Sequence, residues 1–149
     1  SQQTNFQKDE LDTIAAKNWL KEAIIKHFHG TNSDMKEITT SEFYDFKMDA
    51  MNVDLDTEGS LTKDEFQKKW QKIYKPNLHP LQTGFLISAQ DWGNISVEES
   101  IVKNVDKTNR TITFHTVIRD DEFGISYNRD IVIIHNEQQY LIADVWEYD

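Results

Sequence analysis

The chain has 149 residues, 38% of them hydrophobic and 28% charged, enough to bury one sizeable core but too few for two roomy domains. Its 16 basic and 26 acidic residues leave a formal net charge of −10, which repels phosphate backbones and anionic membranes and argues against nucleic-acid or lipid-surface partners. The absence of cysteine excludes disulfides, thiolate metal sites and cysteine nucleophiles, and no apolar run approaches the length of a membrane span, so no membrane insertion is expected.

The opening Ser1-Gln2-Gln3-Thr4-Asn5 is polar and does not start with Met. That fits removal of a signal segment or trimming of the chain, and the expectation is an exported protein, periplasmic or cell-surface. Residues 1–8 are read as a polar tail and 9–149 as one domain. From Lys8 to Phe28, Ala16, Trp19, Leu20, Ala23 and Ile24 recur at three- and four-residue spacing, and Gly30 follows as a stop signal, predicting a helix. Thr39 followed by Glu42 predicts a capping box opening a second helix, with Phe43, Phe46, Ala50 and Val53 on one side. Thr62 and Glu65 predict another box, and Leu61 with Phe66 a hydrophobic staple, for a third helix running through Trp70 and Ile73 to about Tyr74.

Pro76 and Pro80 end the helical half. Beyond them the segments Gly84–Trp92, Ile95–Val105, Thr111–Arg119, Ile125–His135 and Gln139–Glu147 are rich in β-branched and aromatic residues and predict five strands. Their separators are short, which permits hairpins and leaves no room for helical crossovers. Helices first and strands afterwards is the segregated α+β pattern, here three helices on a strongly bent antiparallel sheet.

That order, closing on Gln139-Tyr140-Leu141-Ile142-Ala143-Asp144-Val145-Trp146, resembles the cystatin-like α+β fold of the nuclear-transport-factor-2-like superfamily, whose chains commonly end on an aromatic-x-Ile-x-Asp-Val strand. Together with Leu61-Thr62-x-x-Glu65-Phe66-x-x-x-Trp70 and Phe85-Leu86-Ile87-Ser88-x-Gln90-Asp91-Trp92, the chain is similar to uncharacterised exported bacterial proteins of that fold. The resemblance covers residues 9 to 149. It implies either a non-catalytic binding domain or an enzyme of the ketosteroid-isomerase and cyclase type, since that fold hosts both.

The sharpest chemical motif is Asp54-Leu55-Asp56-Thr57-Glu58-Gly59-Ser60-Leu61-Thr62-Lys63-Asp64-Glu65, which aligns with a twelve-residue calcium loop. Asp54, Asp56, Glu58, Ser60 and Glu65 are its oxygen donors, and Gly59 stands at the sharp bend. Against a calcium site, Glu58 is long for its position, Asp49 and Lys69 occupy flanking positions where apolar residues are usual, and there is no second loop to pair with. The ordinary alternative is an acidic turn between helices, so no cofactor is expected and Ca2+ is the alternative. His27 and His29 point apart on a helix, and no His-Glu-x-x-His occurs. There is no Gly-x-Ser-x-Gly elbow and no phosphate loop. An isomerase would need a carboxylate base and an oxyanion donor, for which Asp91, Asp144, Tyr44 and Tyr127 qualify by type alone, and no catalytic residue is named.

For a pocket on the concave side of the sheet, His115, Tyr127 and Arg129 are the candidate ligand contacts, being the polar groups nearest the sheet centre. Arg129, if buried, needs a partner such as Asp144 or a ligand anion, and is otherwise an exposed charge on the ladder. Ile131–Ile134 is apolar on both faces of its strand, which suggests a homodimer through sheet faces. The expected function is therefore non-catalytic binding of an unknown small molecule or protein, with a calcium module or a pocket isomerase as alternatives.

Overall fold

The computed structural model describes residues 11–30 and 34–148. The polar tail and the start of the first predicted helix lie outside the described residues. Helix α1 spans Thr13–Phe28, opened by the Asp12 carboxylate, which accepts from the Ala15 N–H at 2.9 Å. It buries Ala16, Leu20, Ala23, Ile24 and Phe28. Gly30 follows with φ of +72°, a conformation glycine adopts at no steric cost. A single turn, α2 (Met35–Ile38), comes next, then α3 (Ser41–Met51) and α4 (Lys63–Trp70).

The cap of α3 is Thr40, not Thr39: its hydroxyl accepts from the Phe43 N–H at 3.2 Å. Thr39 is buried instead, donating its hydroxyl to the Met35 carbonyl and forming a parallel bridge with Ile142. The reason is tertiary, because the Thr40 N–H bonds the Ile142 carbonyl and so registers the helix start against the sheet. The Thr62–Glu65 capping box forms as predicted, and Leu61 packs on the core that contains Phe66. Helix α4 stops at Trp70, and Ile73 is half exposed.

The architecture is α+β, with four described helices and four antiparallel strands rather than three and five. The strands β1 (Ile95–Asp106), β2 (Thr111–Asp120), β3 (Ile125–Asn136) and β4 (Gln139–Glu147) form a meander in the order β1-β2-β3-β4. The predicted strand at Gly84–Trp92 is irregular chain. Its Leu86 and Ile87 are buried as expected of β-formers, but by packing on the core and not by pairing. Helix α1 lies on β1 and β2, and α3 meets β4.

One hydrophobic cluster runs from Leu20, Phe43 and Phe46 in the helices to Phe114, Ile131 and Val145 in the sheet. Each such side chain contributes about 1.5–3 kcal/mol when buried, so each half depends on the other for its stability. No described helix is long and apolar enough to cross a membrane.

Candidate functional site

Residues paired across an antiparallel ladder share a face of the sheet. The pairs Ile118 with Tyr127 and Thr116 with Arg129 put Tyr127 and Arg129 on the side covered by the helices. The pair His115 with Asp130 puts His115 on the opposite side. The three candidate pocket residues are therefore divided between the two faces of the sheet. Strand parity was legible within each strand, but the register between strands was not.

Arg129 is fully buried and held from several directions. Its Nη2 pairs with Glu147 Oε1 at 2.9 Å, its Nε donates to the Leu86 carbonyl at 2.8 Å, and its guanidinium lies 5.4 Å from the Tyr127 ring centre. Its partner is Glu147, not Asp144. Glu147 also faces Lys47, whose ammonium lies 3.9 Å away and whose side chain is 3% exposed. Burial drives the Lys47 pKa down, Glu147 draws it back up, and Arg129 opposes that recovery. These contacts clamp α3, the irregular 84–88 chain and the sheet to one another.

On the other face Asp130 is fully buried and accepts from Lys103 Nζ, from His115 Nδ1 at 2.9 Å and from the Tyr148 hydroxyl at 2.8 Å. Burial would push its carboxyl up, but these three donors outweigh it and hold the pKa below the usual value. Asp130 is thus an ionised carboxylate whose counter-charge comes from Lys103. Val132 and Ile134 on the same face are only half-buried.

The acidic turn does not gather its donors. Glu65 Oε1 accepts from the Thr62 N–H at 2.9 Å as the capping partner, and that backbone bond holds its carboxyl below the usual range. Asp54 Oδ1 accepts from the Lys63 N–H, and Ser60 closes on Thr57. Asp49 and Lys69, out of place for a calcium module, form an ion pair of 2.8 Å between α3 and α4. No group of three or more His, Asp or Glu among the described residues is arranged to hold a metal. The isomerase candidates are also dispersed: Asp91 bonds the neighbouring Trp92 N–H, and Tyr44 stacks on Phe85.

A groove of about 600 Å³ opens elsewhere, between α4 and the chain from Pro76 to Leu81. Its floor is aromatic, with Phe46, Phe66, Trp70, Tyr74 and His79 all buried. Phe46 stacks on Tyr74 at 4.1 Å and meets Trp70 and His79 edge-on at 5.5 and 5.0 Å. Trp70 Nε1 donates to Asp49 at 2.9 Å, and the Lys69 ammonium lies 5.0 Å from its ring centre. The rim is polar, supplied by exposed Lys63, Gln67, Gln71 and Asn77.

His79, which the sequence marks only as a loop residue beside Pro80, is 1% exposed at its side chain. Its Nδ1 lies 2.5 Å from the Lys75 carbonyl and its Nε2 lies 2.7 Å from Asp144 Oδ1. Tyr74 is held protonated, its pKa raised by burial first and then by Glu42 and Asp144. The groove thus has rings on its floor and amides on its rim, while its imidazole is engaged on both nitrogens. Comparison of the chain with protein-family models, curated proteins and solved structures found no match in any of the three.

Proposed function

We propose that the protein binds, without chemical turnover, a small and largely apolar molecule carrying an aromatic ring, in the groove between α4 and Pro76–Leu81. The observation that carries this reading is the floor of five buried rings beneath a rim of side-chain amides. Binding sites combine concave apolar area with a few polar groups that orient the ligand, and a volume of about 600 Å³ falls within their usual range. Flat rings present faces and edges for stacking at modest entropic cost. A binding role also suits the lining chemistry, because His79 already uses both nitrogens and Tyr74 keeps its proton. We read the chain as a binding member of the nuclear-transport-factor-2-like superfamily, on its helices-then-meander order and its closing strand.

The test is fluorescence titration with anilinonaphthalene sulfonate, compared between the native chain and the rim variant Gln67→Trp. Gln67 is exposed, so a bulky ring there blocks the groove and leaves the floor packed. Saturable binding at one site, lost in Gln67→Trp at an unchanged melting temperature, is the expected result. Equal binding by both proteins would refute the assignment.

A further inference from the structure

We infer that His79 is a doubly protonated positioning residue that ties the wall of the groove to strand β4, so that ligand affinity falls as pH rises through the titration of this one ring. The inference rests on the groove reading above and concerns its regulation. Both ring nitrogens face acceptors, the Lys75 carbonyl and the Asp144 carboxylate. A neutral imidazole carries one N–H and can donate to only one of them. Moving the missing proton to Asp144 does not suit that side chain. Its Oδ1 also accepts from the Val145 N–H at 2.9 Å and its Oδ2 from Trp146 Nε1 at 2.7 Å. With three donors aimed at it, Asp144 fits as the carboxylate, and the ring then carries both protons.

The tie spans 65 residues of sequence and joins the Pro76–Leu81 wall to the edge strand of the sheet. On the other side the ring edge packs against Phe46 and Tyr74, two residues of the groove floor. The remaining charged and titratable groups facing this corner are Glu147 on β4, Arg129 on β3, Lys47 and Glu42 on α3, and Tyr74 itself. Lys47 and Arg129 share Glu147, which leaves Asp144 as the anion in direct contact with the ring. Loss of one ring proton removes one of the two hydrogen bonds and frees the wall to shift on the floor.

The experiment has two arms, run from about pH 5.5 to about pH 9, the range in which a histidine switch is sought. Long-range proton–nitrogen correlation spectra read the His79 ring directly, and the Trp146 indole resonance reads the Asp144 carboxylate it bonds. Two protonated ring nitrogens at the acid end, with the Trp146 indole signal following the ring's titration, are expected. A single protonated nitrogen at the acid end, or a Trp146 signal that does not follow, overturns the inference whether or not any ligand binds. In the second arm, anilinonaphthalene sulfonate affinity should fall about tenfold across the range, the worth of one charge-assisted hydrogen bond. The profile should be flat in His79→Gln, whose amide donates without titrating. An identical slope in both proteins also overturns it, whereas no binding of this probe at any pH counts against the groove reading alone.

Discussion

Replacing Lys47 by methionine should stabilise the protein. The ammonium is buried, and the nearest carboxylate among the described residues, Glu147, lies 3.9 Å away, an attraction of about 4 kcal/mol at an effective dielectric of about 20, to which Asp144 adds a smaller one. Against this stand several kcal/mol of lost hydration and the repulsion of Arg129, which holds the same carboxylate at 2.9 Å. Among the described residues no hydrogen bond to the ammonium offsets that cost. Methionine keeps the apolar stem and leaves the Arg129–Glu147 pair intact, so the expected gain is about 1–3 kcal/mol at neutral pH, or about 2–4 °C in Tm for each kcal/mol.

The sign of the pH dependence follows from linkage. Because the folded-state pKa of Lys47 lies below its ordinary 10.5, the unfolded chain binds more protons between those two values, and native stability rises with pH across that window. The penalty is relieved as the amine loses its charge, so the advantage of the variant should shrink toward pH 10.5. Urea unfolding followed by circular dichroism at neutral and alkaline pH measures both effects. A variant less stable than the native chain by more than about 1 kcal/mol at neutral pH, or a gain that does not shrink in alkali, would refute the reasoning.

Asp130→Asn should lower stability at neutral pH, since three donors fit a carboxylate there. Because the folded pKa lies below the ordinary 3.8, the difference between the two proteins should persist above that value and close as pH falls below it; acid titration of Tm checks this. Millimolar calcium should leave Tm unchanged, because Glu65 and Asp54 are spent on the α4 cap, and differential scanning calorimetry with and without the ion decides the point. A fragment ending at residue 78 should show little helical signal by circular dichroism, because its apolar faces lose the sheet they pack on; a cooperative melt would contradict the shared core.

Local signals were read well from the sequence, and long-range ones were not. The Thr62–Glu65 box and the Gly30 stop depend on neighbours within a few residues, and the four strands emerged within about one residue of their limits. Thr39 and Thr40 are equivalent as caps until the bridge to Ile142 assigns their roles. Phe85-Leu86-Ile87 has strand composition, but its burial comes from Arg129 and the core and not from a ladder. Lys47 did leave a signal that went unused: with Phe43, Phe46 and Ala50 it falls on the buried stripe of α3, a position where a lysine needs an explanation. Nothing in the sequence joins His79 to Asp144, because that contact exists only once the chain has folded back on β4.

The two register shifts in β1 bear on how copies of this chain can meet. Strand β1 is an edge of twelve residues, long enough to template a neighbouring chain through its free N–H and C=O groups. The extra residues at the shifts are Glu98 and Lys103, so each interruption of the ladder also places a charge. A second strand laid along this edge would fall out of step at both sites and would desolvate those charges. Fibril growth by edge pairing along β1 is thereby obstructed.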